Sequence, residues 1–345
     1  MFYVCLVYGK SSVSGLYVVM WGVVCGSYKA AKKLNNILNQ HLHLENLYTV
    51  ENSTKLANDL TKITLKDSYR LITLDIKDLY VNILIHEALQ ATRTQLHKHN
   101  DKTFTNQICT LLEAMLNQNY FTYQTQIYQP TKGVAMDSPI SGLITEIFLQ
   151  SLERTHIKPL LDTIHTIFYT THIDDILIIY DTAQINLDTI THYANTKNNN
   201  LELCPTPKQN NRVSFLDLAI IRNTPHLEID IFQKPTTTDT TISYFSNHPQ
   251  EQKSAAYRFL IDRMFNLPLH KNRLENEWQT ILHIPKNNHF PTALIHNLRH
   301  RMIHKEPNPH PPPSPHIPGR TKNGPLSPSY PQTSGRSLTY SNKQV

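Results

Sequence analysis

The stretch YTTHIDDILIIYD, residues 169–181, sets two adjacent carboxylates, Asp174 and Asp175, inside an apolar, β-prone run. The Ile, Leu and Tyr residues around them belong in a buried hairpin. Two like charges side by side repel, however, and removing either from water is costly unless something positive sits between them. A turn at the pair would carry both carboxylates to one edge of a sheet. A third acid, Asp75, closes another apolar run, LITLD. Strands laid side by side would bring all three acids together, a cluster tolerable only if divalent cations neutralise it. Hard oxygen donors suit Mg²⁺, which keeps several waters and also accepts substrate phosphate oxygens. Taken singly, the Asp pair also reads as a structural turn and Asp75 as a strand cap. Asp78 and Asp181 read as solvated loop charges.

The rest of the chain alternates helical and strand-like patterns without a strict βαβ repeat. YKAAKKLNNILNQHL carries helical spacing, and ENSTKLANDLTKI has Ser53 or Thr54 as N-cap. IHEALQATRTQL and TNQICTLLEAMLNQ read as amphipathic helices, and YFTYQTQIYQ as a strand. A Gly-containing loop then leads to a Ser-Pro helix start at Ser138–Pro139 and a long apolar-faced helix. VSFLDLAIIR and LEIDIFQKP read as two strands of a hairpin turning at Asn223–Pro225, and residues 250–304 read as helical, with a kink expected at Pro285. This order argues for an α+β fold, an antiparallel sheet with helices on one face.

Composition narrows the partners. The formal net charge of +6 and a pI of about 9.0 lean towards a polyanion. Cys5, Cys25, Cys109 and Cys204 are scattered and form no C-x-x-C pair, which argues against a zinc site and fits a reducing, intracellular setting, nuclear or cytoplasmic. His41 and His43 read as a polar surface pair. Residues 1–27 are apolar and Gly-rich, but each apolar piece is too short for a bilayer-spanning helix, so the segment reads as strand-like and a membrane role is not expected. Residues 307–345 hold ten of the 21 prolines and no acid, and are expected to be disordered.

From about Tyr28 to His304 the sequence resembles the reverse transcriptase of Penelope-like retroelements, related to telomerase-type reverse transcriptases. The resemblance rests on an ordered series: LDIKDLYVNILIHEAL, GVAMDSPISGLITEIFLQSLE, HIDDILII, VSFLDLAI, FQKPTTTDT and YFSNHP followed by Lys253 and Arg258. It implies a reverse-transcriptase palm with an antiparallel sheet, partial fingers and a helical thumb: fingers and palm over 28–250, a thumb-like region over 251–306. It also implies Mg²⁺-dependent, two-metal RNA-directed DNA polymerisation, with Mn²⁺ an alternative ion. The partners would be an RNA template, a DNA primer and dNTPs, with no obligate protein partner.

Residue by residue, the resemblance makes Asp75, Asp174 and Asp175 the metal-binding catalytic acids. Tyr80 becomes the gate that rejects a 2′-hydroxyl by filling the space beneath the sugar; on its own residue type it is equally a core aromatic. Gly133, Ser138 and Pro139 would shape the nucleotide-side loop, and His172 would support the primer end. Lys234 would lie near primer or triphosphate, and Lys253, Arg258, Arg263 and Lys271 would track the phosphate backbone. Taken alone, each of these cations reads as part of a solvated surface.

Departures fall inside the motifs. His172 stands where the family has an aromatic, Asp137 where it has glycine, and Leu84 where it has proline. The family's basic fingers residues and its C-terminal GIY-YIG endonuclease have no counterpart in the sequence. The chain is therefore expected to be a truncated or degenerate copy, with a catalytically inactive nucleic-acid-binding relic as the alternative.

Overall fold

The computed structural model describes residues 3–7, 17–21 and 26–304, except 47, 124–125, 137, 164–165 and 207–210. The proline-rich segment 307–345 and most of 1–27 lie outside the described residues. Within the latter, the backbone of Tyr3–Val7 pairs antiparallel with Tyr17–Trp21.

The centre is a four-stranded antiparallel sheet in the order Phe168–His172, Asp175–Asp181, Tyr69–Lys77, Glu202–Pro205. Side chains alternate faces along a strand, and here both faces are apolar. Ile72, Leu74 and Ile76, with Ile176, Ile178 and Tyr180, share one core with Leu34, Leu38, Leu96, Leu112 and Ile144. Those partners come from helices Gly26–His41, Ile85–Leu96, Lys102–Asn117 and Ser141–Leu152. Leu71, Leu177 and Ile179 point the other way. They meet Leu56 and Leu60 of helix Ser53–Leu60, together with Val213, Phe215, Ile220 and Ile229 of a second sheet.

The α+β layout is thus as the sequence suggests, with most helices banked on one face and helix Ser53–Leu60 and the second sheet covering the other. That second sheet has the order His226–Ile231, Leu218–Asn223, Arg212–Phe215. VSFLDLAIIR is not one strand: it folds back at Leu216–Asp217, pairing Phe215 with Leu218. YFTYQTQIYQ likewise splits into Phe121–Tyr123 paired with Gln126–Tyr128. The predicted turn after Asn223 is present, with Asn223 opposite His226.

Smaller corrections concern helix ends. Asn52, not Ser53 or Thr54, caps helix Ser53–Leu60, its side chain accepting from the Lys55 N–H at 2.8 Å. The helix expected to start at Ser138–Pro139 starts at Ser141.

The C-terminal helices Gln250–Asn266, Lys271–Asn287 and Thr292–Ile303 enclose a core of their own, built on Tyr257, Ile261, Met264, Trp278, Ile281 and Ile295. Pro285 sits in the last turn of the second of these helices. Its missing N–H falls near the terminus, where the Asn288 and Phe290 N–H groups both close onto the Pro285 carbonyl.

Candidate active site

The site is an edge of the central sheet, and strand register builds it. Asp75 is the direct cross-strand partner of Asp175, Asp175 that of His172, and Asp75 that of Cys204 on its other side. Directly opposed residues share a face, so His172, Asp175, Asp75 and Cys204 form one row across four strands. The hairpin turns through Ile173 and Asp174, and the Asp174 carbonyl accepts from the Ile76 N–H at 2.9 Å, fastening the turn to the central strand. Ile173 takes a left-handed φ of 55° although it is β-branched, and its side chain is exposed. That conformation is strained. A second residue in the same region, Asp78 at the start of helix Leu79–Asn82, has φ 51°.

The electrostatics are those of a carboxylate cluster. Asp75 is solvent-exposed, yet partial desolvation, then Asp174, then Asp78, raise its carboxyl above the ordinary value. Burial, then Asp174 and Asp75, push Asp175 up, while Lys234 and His172 partly offset the rise. The sheet therefore brings Asp75, Asp174, Asp175, His172 and Lys234 within electrostatic reach of one another. The His172 Nδ1 is buried with no hydrogen-bond partner among the described residues.

Among the described residues no three His, Cys, Asp or Glu side chains close around a single point as a ready-made cage. Mg²⁺ does not require one, since one or two carboxylates suffice with waters and substrate phosphates completing the shell. An oxygen-only donor set whose members repel one another fits a hard divalent cation on chemistry.

Beside the row, Tyr80 lies on helix Leu79–Asn82, partly buried against the helix-side core. Its carbonyl accepts from the Val134 N–H at 2.8 Å. Gly133 has φ +88°, and a Cβ there would stand 2.6 Å from the Val81 carbonyl oxygen and 2.9 Å from that of Tyr80. The loop carrying Gly133 thus closes onto the segment carrying Tyr80. Ser138 and Pro139 follow in this loop, which Ser138 anchors through N–H to the Ala135 carbonyl at 3.1 Å and through its own carbonyl to the Ser141 N–H at 3.1 Å. Asp137 lies outside the described residues.

The four C-terminal cations separate. Lys253 and Arg258 lie on helix Gln250–Asn266, and Lys271 opens the next helix at an exposed position. Arg263 is different: its side chain is largely buried and pairs with Glu277 at 3.3 Å and Asp217 at 3.7 Å. It joins the helical unit to the second sheet, and its charge is spent inside the protein rather than on a phosphate backbone. Sequence reasoning also passed over Arg273, which meets Asp230 at 2.8 Å and Glu228 at 2.9 Å across the same junction. Glu153 was missed as well. It is buried at the start of a π-helical turn, Glu153–Ile157, and accepts from the Tyr169 hydroxyl at 3.1 Å. Burial lifts its carboxyl to about 7. No run of residue types marks such a group, because tertiary burial makes it.

No protein-family model matches the chain, and no curated protein matches it in sequence. Among solved structures, the telomerase of Candida albicans in complex with a TWJ fragment of telomeric RNA aligns at 11% identity with a TM-score of 0.51, covering 80% of this chain and 48% of that one. Apo telomerase from Candida tropicalis aligns at 13% identity and a TM-score of 0.48, over 87% of this chain and 63% of that one. The sicinivirus 3Dpol RNA-dependent RNA polymerase aligns at 15% and 0.43, over 71% and 52%. The chain spans about half to under two thirds of these structures' lengths. At such identities the likeness is one of fold, and the first of the three carries it: the chain shares an α+β fold with that telomerase structure, and its acid row lies on the central antiparallel sheet.

Proposed function

We propose that the chain is the RNA-directed DNA polymerase domain of a Penelope-like retroelement, adding nucleotides to a primer 3′-end on an RNA template. The observation that carries this reading is the opposition of Asp75 and Asp175 across the central strand pair, with Asp174 at the adjoining turn. In this reading residues 28–250 are fingers and palm and 251–306 the thumb.

Asp75, Asp174 and Asp175 would hold two Mg²⁺ ions, with Mn²⁺ an alternative and waters and substrate phosphates completing the shells. Bound there, the ions supply Lewis acidity to the 3′-hydroxyl and to the leaving pyrophosphate. The chain's own groups orient the reactants. Tyr80, backed by the Gly133 loop, fills the space a 2′-oxygen would need. Ser138 and Pro139 shape the loop over the nucleotide. His172 stands under the primer end, and Lys234 opposes the added negative charge of a triphosphate. Exposed Arg258 and Lys271, with half-buried Lys253, contact phosphates without reading sequence. No helix among the described residues is long and apolar enough to cross a membrane, and the reading sets the protein in the nucleus or cytoplasm.

A second reading, a catalytically inactive nucleic-acid-binding relic, is favoured by His172 and Asp137, which depart from the family pattern at the two motifs nearest the chemistry. Extension of a labelled DNA primer on an RNA template, with the full chain and Mg²⁺, separates the two. Growth of the primer supports the polymerase. Binding without growth, restored by Asp137→Gly with His172→Tyr, supports the relic. Absence of both binding and growth overturns both.

A further inference from the structure

Phe245 is the most exposed large apolar side chain among the described residues, at 76%. A ring so open to water is ordinarily on a loose loop, but this one is fastened from several sides. The Tyr244 N–H donates to the Asn288 carbonyl at 3.0 Å, and the Ser246 N–H and hydroxyl both donate to the Ser243 carbonyl, at 3.1 and 2.7 Å. The Lys253 ammonium donates to the Tyr244 carbonyl at 2.7 Å.

Beneath it, Tyr244 packs edge-on against Phe290, whose ring lies 4.7 Å from that of Tyr257 in the core of the helical unit. Beside it, His289 holds a left-handed φ of 60°, and its exposed ring lies 5.5 Å from that of Phe245 at an interplanar angle of 37°. Two exposed rings, one brought there by a strained backbone, thus share a rigid footing with a cation. The Lys253 ammonium also sits 5.6 Å from the Tyr244 ring centroid.

We propose that Phe245 and His289 form a stacking platform for an unpaired nucleobase, with Lys253 beside it for the adjoining phosphate. The proposal rests on the nucleic-acid-binding reading above and gives it a specific contact. A planar aromatic ligand with an attached anion matches the surface: the rings supply sequence-tolerant stacking and the ammonium supplies charge. An aliphatic partner would use the apolar area but not the geometry of the ring pair or the cation. The platform's rigidity matters because ordering a free loop on binding would consume part of the gain.

The test is fluorescence anisotropy with a labelled single-stranded oligodeoxynucleotide of about 10 nucleotides, using the full chain. Phe245→Ala weakens binding about tenfold. Phe245→Trp retains affinity, and the new tryptophan's emission is quenched by the oligonucleotide. Phe245→Leu keeps apolar area without a planar ring and binds like the Ala variant. Circular dichroism and thermal melting of each variant verify that the helical unit is intact. Equal affinity for parent, Ala and Leu variants overturns the platform and leaves the broader reading standing. A parent that binds no oligonucleotide overturns both. An Ala variant rescued by Leu as well as by Trp shows general apolar contact and overturns the stacking assignment.

Discussion

Gly133 lies against the backbone of Tyr80 and Val81 so closely that no side chain fits between them. The contact joins the loop after the Phe121–Tyr128 hairpin to the helix that follows Asp75, and the Val134 N–H donates to the Tyr80 carbonyl at 2.8 Å. Gly133→Ala meets two costs at once: a left-handed φ of +88° and a Cβ 2.6 Å from a carbonyl oxygen. Backbone on both sides leaves no flexible side chain to yield. The variant is expected to lose about 2–4 kcal/mol of stability, read as a lowered urea midpoint. An unchanged midpoint would show that the loop does not close onto Tyr80 as described.

Ile173, at the turn between the two acid-bearing strands, holds φ 55° with its side chain 41% exposed. A β-branched residue there stores strain of about 1–3 kcal/mol, and burial returns little of it. Asparagine tolerates the left-handed region without the unfolded-state entropy that glycine adds. Ile173→Asn should therefore raise the thermal midpoint, by about 1 kcal/mol of stability. A lower midpoint would mean that the isoleucine side chain contributes more to stability than its left-handed backbone costs.

Glu153 gives a pH dependence with a defined sign. Its folded carboxyl titrates at about 7 because burial disfavours the charge, with Glu146 adding to the rise and Thr171 and Tyr169 opposing it. The unfolded chain releases that proton at the ordinary value of 4.5. Between these values the folded state binds more protons than the unfolded state, so stability falls as pH rises from about 4.5 through about 7 and then levels. The loss is of order 3 kcal/mol at most. Glu153→Gln should remove it: relative to the variant, the parent should lose stability between about pH 4.5 and about pH 7. Parallel stability curves for parent and variant over that range would contradict the assignment.

The cations of the C-terminal helices should divide by burial. Arg263 bridges Glu277 and Asp217, and Glu277 is itself buried, so Arg263→Ala leaves an uncompensated carboxylate and should cost about 3 kcal/mol of stability. Lys271 is exposed, and Lys271→Ala should leave stability within about 0.5 kcal/mol while weakening oligonucleotide binding and lowering its salt slope. Chemical denaturation and binding titrations over a salt series test both. The reverse pattern, a tolerant Arg263 and a destabilised Lys271 variant, would refute the division.

What the sequence disclosed and what it withheld follow from range. That Asp75, Asp174 and Asp175 converge on one part of the sheet was legible because each adjoins an apolar strand, where a charge conflicts with its neighbours. Helix Ile85–Leu96 was legible because Ile85, Ala88, Leu89 and Leu96 keep helical spacing, although Thr92 and Gln95 also lie on its buried face. The hairpin inside VSFLDLAIIR was not, because its turn is Leu216–Asp217, without glycine, proline or asparagine to announce it. What settles that turn is tertiary: the Asp217 carbonyl accepts from the Phe232 N–H at 2.8 Å, and its carboxylate takes the Ser53 hydroxyl and the Arg263 guanidinium. Arg263 looked like one more surface cation for the same reason. Its partners are 14 and 46 residues away in sequence, and nothing local in FLIDRMFN reveals them.

The acid row is the centre of the account, and conservative neutralisation tests it most directly. Asp75→Asn and Asp175→Asn each preserve side-chain volume while removing the charge that would hold a divalent cation. Primer extension in Mg²⁺ is measured for parent and both variants, together with oligonucleotide affinity. The account predicts extension by the parent, a fall of about a hundredfold or more in each variant, and affinity within about threefold of the parent, since the phosphate contacts lie elsewhere. Extension that survives both substitutions at the parent's rate would contradict it.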